Sequence, residues 1–135
     1  MTPQEIHKQV MGLFTYQSDK ETFGYTDYWS SFADSVEKNE PFKGDCDNFA
    51  MTCAEIAARN GHDKKNVMLA LCWVNETNEY HAVCIIGSML LDNRYSEPFD
   101  WTWAPYKWDK AMRLSEPSVW REINYTNKRN TKNGI

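Results

Sequence analysis

Four cysteines, three histidines and a set of aspartates supply the groups able to do chemistry here, and their positions in the chain distinguish them. Cys46 follows Gly44-Asp45 and opens a helical pattern, where unpaired backbone N–H groups and the positive end of the helix dipole favour a thiolate and could hold an oxyanion. Cys53 lies two turns further into the same pattern. Cys72 and Cys84 sit inside apolar runs of strand length. These three read as small core residues, and Cys46 reads equally as a capped, buried cysteine or as a nucleophile. No CxxC pair is present, which removes the strongest zinc and thioredoxin-type signals.

A thiolate needs a base, and the choice is among His7, His62 and His81. His7 on an N-terminal helix and His62 after a helix-stopping glycine read as solvent-facing. His81 opens the apolar run YHAVCII, where it is either a satisfied core histidine or an oriented base. Asp92 ends the next run, in LLDN, where it either starts a turn or serves the histidine. Across a two-residue hairpin turn, opposed positions differ by an odd number, and so do 81 and 92. Both side chains therefore share a face, directly opposed if the turn is Ile86-Gly87 and diagonal if it is Gly87-Ser88. That is within reach for a carboxylate that fixes an imidazole tautomer.

The elements that would position these groups are legible from periodicity. Thr2-Pro3-Gln4-Glu5 has the form of a capping box ahead of a helix carrying Ile6, Val10, Leu13 and Phe14. Residues 15–26 read as an ordered loop. A second helix lies within Asp27 to Lys38, with Trp29, Phe32 or Ala33, and Val36 on one face, and is ended by Glu40-Pro41. A third starts from a capping Asp45, lines one face with Cys46, Phe49, Ala50, Cys53 and Ala57, and stops at Gly61. Val67–Val74, Tyr80–Ile86 and Met89–Asp92 read as an antiparallel meander with the helices on one face, an α+β arrangement. Phe99, Trp101 and Trp103 alternate as an extended segment, and they read as core in preference to an aromatic floor for a peptide. Val119–Ile123 is a last strand.

Length and charge bound the rest. At 135 residues and 15.8 kDa the chain has the size of one domain, taken as 1–123, with a polar and frayed tail at 124–135. A net charge of -4 and a pI near 5.3 leave no broad basic face, so nucleic acid is a poor partner. No apolar run reaches membrane-spanning length, and the first ten residues lack the form of a secretory signal. The expectation is a soluble cytoplasmic protein, without a membrane partner, acting on a peptide or protein. Acidic residues around the site would favour basic or neutral substrate flanks.

Asp27-Tyr28-Trp29, then Gly44-Asp45-Cys46-Asp47-Asn48-Phe49-Ala50, then Tyr80-His81-Ala82-Val83, then Leu91-Asp92-Asn93, taken in this order, resemble the bacterial transglutaminase-like cysteine proteinases of the papain and transglutaminase group. The resemblance spans roughly Phe23 to Arg94. It implies a papain/transglutaminase-like α+β fold in which the cysteine helix packs on an antiparallel sheet. It also implies Cys46 as nucleophile, His81 as base and Asp92 as the orienting acid. The Cys46 N–H, with Tyr28 or Trp29 as a second donor, would hold the oxyanion, although a packing role suits those two aromatics better. No cofactor is required by this chemistry. Some members of the group bind calcium through acidic residues beside the cysteine, which maps onto Asp45 and Asp47, with Asn48 in place of a further carboxylate. Read by themselves, Asp45 and Asp47 cap the helix and complement its dipole. The expected activity is that of a cysteine peptidase or amide hydrolase. A transamidase using the same triad, or a non-catalytic binding or assembly protein on the same fold, are the alternatives.

Overall fold

The computed structural model describes residues 1–17 and 30–125. Thr2 caps α1 (Pro3–Leu13) through the reciprocal bonds of a capping box, the Thr2 hydroxyl taking the Glu5 N–H and the Glu5 carboxylate the Thr2 N–H. Ile6 and Val10 bury the inner face. The chain then runs straight into β1 (Phe14–Tyr16), which pairs in parallel with β2 (Phe42–Gly44). This short pair was not legible in the sequence, because three-residue strands carry too little periodicity to register. Between them α2 (Ala33–Glu37) is a single turn and a half, shorter than expected, with Ala33 and Val36 buried. Residues 27–29 of the anticipated helix lie outside the described residues.

Helix α3 (Cys46–Arg59) is the centre of the helical layer, with Phe49, Ala50, Cys53 and Ala57 buried on the expected face. It ends in a Schellman motif: Gly61 adopts φ +89, its N–H reaches the Ala58 carbonyl at 3.4 Å, and the His62 N–H reaches that of Ala57 at 3.1 Å. The buried Thr52 hydroxyl accepts from the Phe32 N–H and donates to the Asn48 carbonyl, tying α3 to the start of α2 without leaving a polar group unpaired.

The meander forms as read: β3 (Val67–Val74), β4 (Tyr80–Ile86) and β5 (Met89–Leu91) pair antiparallel. It is half of a six-stranded sheet completed by β6 (Phe99–Asp100), β7 (Tyr106–Arg113) and β8 (Trp120–Glu122), in the order β6-β5-β4-β3-β7-β8. The last strand falls inside the expected Val119–Ile123. Strand β7 escaped the sequence reading because YKWDKAMR is mostly polar, and its central pairing against β3 was not visible in its own pattern.

Alternation along β3 and β4 splits the core in two. Leu69, Leu71, Ala82, Cys84 and Ile86 face the helices, as expected. Ala70, Cys72, Val74, Val83 and Ile85 face a second core made by Leu90, Tyr106 and Trp108 under a cover of Tyr95, Phe99 and Trp101. The segment after Asp92 thus does for one face what the helices do for the other. Its aromatic residues are not the alternating extended run that was expected. Trp101–Trp103 form a 3-10 turn capped by Asp100, which turns Trp101 inward against Trp108 and leaves Trp103 63% exposed. Among the described residues no helix is long and apolar enough to cross a membrane.

Candidate active site

The end of β3, the start of β4, the exit of β5 and the start of β7 all lie at one end of the sheet. The registers Trp73↔Tyr80, Cys84↔Leu91 and Val74↔Tyr106 require it. The N-terminus of α3 comes to the same end, and Cys46 and His81 line one cavity of about 340 Å³ together with Tyr16, Glu79, Tyr80 and Arg94. Tyr16 arrives there through its pairing with Gly44, two residues before the cysteine.

The hairpin register Ile86↔Met89 makes Gly87-Ser88 the turn, so His81 and Asp92 are diagonal neighbours. His81 Nε2 lies 2.8 Å from Asp92 Oδ1, with both side chains buried. A carboxylate only accepts, so Nε2 carries the proton and Nδ1 keeps the lone pair. Asp92 leaves the β5 ladder one residue earlier than expected and is held from several directions. The Arg94 N–H donates to Oδ1 at 3.0 Å and the Tyr106 hydroxyl donates to Oδ2. Burial opposes ionisation of Asp92, but the bond and charge of His81, with the bonds from the Tyr106 hydroxyl and the Arg94 backbone N–H, outweigh it and hold the carboxyl below its usual range.

His7 corrects the sequence reading. It is fully buried, packs edge-on against Phe49, and its Nε2 donates to the Asp92 backbone carbonyl at 3.0 Å. A histidine one residue after Ile6 falls on the buried face of α1, and that spacing was the available signal. His62 is at a distant turn, bonded to the Met1 carbonyl at 2.6 Å. Cys53, Cys72 and Cys84 are fully buried free thiols, as anticipated.

Asp45 caps α3, its Oδ1 accepting from the Asp47 and Asn48 N–H groups, while Asn48 Oδ1 accepts in return from the Asp45 N–H at 3.0 Å. The Phe49 N–H goes to the Asp45 carbonyl. Among the described residues this leaves the Cys46 N–H as the first-turn amide without a capping or helical partner. Gly44 is dictated by the same box: a Cβ there would meet Asn48 Cβ and Oδ1 at 2.7 Å. Tyr28 and Trp29, the other oxyanion candidates, lie outside the described residues.

The helix start is not the only influence on the Cys46 thiol. Burial raises the thiol well above its ordinary range, and Asp47, whose Oδ1 accepts the thiol at 3.7 Å, raises it further. The Ala82 N–H acts in the opposite sense but is outweighed. The charge presented to a substrate is also more mixed than composition implied. Asp45 and Asp92 are buried, so the charged lining of the cavity is Glu79 and Arg94, with Asp47 beside the Cys46 sulfur.

Calcium takes six to eight oxygens. Here Asp45 Oδ1 is committed to two amides, and Asn48 Oδ1 is turned toward the Asp45 N–H while its Nδ2 donates to the Ser30 carbonyl. Among the described residues no group of three or more His, Cys, Asp or Glu side chains converges as a metal site. Asp45 and Asp47 as placed do not fit the ion.

Comparison with known proteins bears on this arrangement directly. The family model for bacterial transglutaminase-like cysteine proteinases, BTLCP, matches residues 2–128. The chain belongs to that family. As such it is a cysteine peptidase, and the resemblance read from the Gly-Asp-Cys, His and Asp blocks extends over nearly the whole chain. Solved structures of LapG from Legionella pneumophila share the fold. The EGTA-treated form superposes with a TM-score of 0.71 at 16% identity, covering 98% of this chain and 72% of LapG. The calcium-bound form gives 0.64 at 18% identity, covering 92% and 74%. A third LapG structure gives 0.70 at 16% identity, over 93% and 68%. The transglutaminase-like α+β class is therefore established for the family member described here. No curated protein sequence matches the chain.

Proposed function

We propose that the chain hydrolyses peptide bonds in a protein substrate through a Cys46-His81-Asp92 triad. The carrying observation is the 2.8 Å bond from His81 Nε2 to Asp92, which directs the lone pair of Nδ1 away from the acid in an imidazole that shares its cavity with Cys46. His81 Nδ1 takes the Cys46 proton as sulfur attacks the carbonyl carbon, forming a C–S bond and an oxyanion that the Cys46 N–H meets. The imidazolium then protonates the amine as the C–N bond breaks, leaving a thioester on Cys46. Water adds to the thioester with His81 as base, the acid is released and the thiol is restored.

Because burial and Asp47 raise the thiol, proton removal accompanies attack and no standing thiolate is needed. An amine in place of water would give transamidation at the same thioester. Protein is the substrate class the family supports. Tyr16 and Tyr80, both exposed beside the cavity, are surfaces for its extended chain. LapG has a calcium-bound form, whereas the described donors of this chain do not suit a cation.

A peptidyl ketone electrophile, followed by mass spectrometry of the labelled residue, tests the triad. The expected product is an adduct on Cys46 alone, absent in Cys46→Ala and formed about 10²-fold more slowly in His81→Ala, the low end of general-base contributions. Equal labelling rates in wild type and His81→Ala would sink the assignment.

A further inference from the structure

Asp92 is only 1% exposed, and a carboxylate in that position needs donors for both oxygens. Oδ1 receives His81 and the Arg94 N–H, while Oδ2 receives the Tyr106 hydroxyl. The direction of that last bond is fixed from behind. Arg94 Nη1 donates to Tyr106 Oη at 3.0 Å, and a guanidinium has no acceptor; the Tyr95 hydroxyl beside it is neutral, so the single Tyr106 proton goes to the charged Asp92. Tyr106 is fully buried, edge-on to the His81 ring at 5.6 Å between centroids, and does not line the cavity. The Arg94 guanidinium lies over its ring at 5.7 Å.

We propose that Tyr106, oriented by Arg94, is a positioning residue that locks the Asp92 carboxylate in the plane His81 requires, making a directional chain Arg94 to Tyr106 to Asp92, with His81 donating from the other side. The proposal rests on the triad reading for its kinetic consequence, but its structural core concerns only Asp92 and His81. Carboxylate torsions are broad, so two donors on one oxygen leave the other free to swing. Tyr106 stops the swing and spreads the carboxylate charge. Burial and the Asp92 charge keep its phenol protonated, so it remains a donor throughout the working pH range. A purely packing role would need the ring and not the oxygen.

Tyr106→Phe separates the two. The ring is kept, and the expected result is a kcat about ten- to hundredfold lower, the range of a charge-assisted hydrogen bond, with KM within about twofold of wild type. Nitrogen NMR of the His81 ring, which reports whether Nε2 or Nδ1 carries the proton, supplies a readout that packing would not move. With Oδ2 released, the carboxylate turns out of the plane of the His81 bond, and the ring should show a mixture of tautomers in place of the single Nε2–H form. Arg94→Met, which keeps the backbone N–H, should show the same change to a lesser degree, and this variant carries the test if Tyr106→Phe does not fold. A folded Tyr106→Phe with wild-type kcat, or with the single His81 tautomer unchanged, overturns the proposal. Failure of the triad itself looks different: His81→Ala would label Cys46 at the wild-type rate, while the NMR comparison still reports on Tyr106.

Discussion

Asp47 stands one residue after Cys46, the proposed nucleophile, with Oδ1 3.7 Å from its sulfur. Replacing it by Asn keeps the shape and removes the charge. Two unit charges at that separation interact by about 1 kcal/mol in a water-like medium and about 4 kcal/mol at an effective dielectric near 20. Cys46 is half-buried at the cavity, so the lower figure is the safer one, and about 1.4 kcal/mol corresponds to one pH unit. The sign is fixed: a negative neighbour penalises the thiolate, so its loss lowers the thiol pKa while burial still keeps it above the ordinary range. Alkylation proceeds through the thiolate, so at any pH below the thiol pKa the Asp47→Asn variant should react with iodoacetamide roughly fivefold faster than wild type. The rate–pH curve should keep its shape and move to lower pH. Loss of a first-turn carboxylate costs the helix about 0.3–1 kcal/mol, and a melting temperature measured alongside checks that the site is intact. A folded Asp47→Asn protein that reacts at the wild-type rate, or more slowly, would refute the electrostatic account of the raised thiol.

Two further outcomes follow from the same helix start. Gly44→Ala would push a methyl group onto Asn48 at 2.7 Å and break the Asp45-Asn48 box. Urea denaturation should show a loss of about 1–3 kcal/mol. Calcium and chelator should leave the melting temperature of the wild-type protein unchanged, since the described donors do not assemble around an ion. A rise with calcium would show that residues beyond the described ones complete a site.

Much of this was legible because the informative elements have strong local patterns. The capping boxes of α1 and α3, the apolar runs of β3 to β5 and the odd spacing of His81 and Asp92 are each a few residues long and self-contained. What escaped depends on distant partners. Tyr106 reads as one of many aromatics until β7 is placed against β3, which sets it behind Asp92. His7 gives its function away only when α1 is docked. The burial of Cys46 was not legible for a related reason. A helix N-terminus is a local feature that favours a thiolate, whereas the opposing burial comes from the tertiary structure and Asp47 adds to it.

The His7 bond to the Asp92 carbonyl joins residues 85 positions apart. Asp92 is also gripped by Tyr106 from a strand made after it, so it reaches this geometry only when the first helix and a late strand are both in place. Non-local contacts of this kind form late and are lost early in partial unfolding. On the proposed triad, activity is thereby coupled to completion of the fold. A growing or partly opened chain would carry a cysteine and a histidine but no fixed tautomer, which limits adventitious cleavage by any copy that has not finished folding.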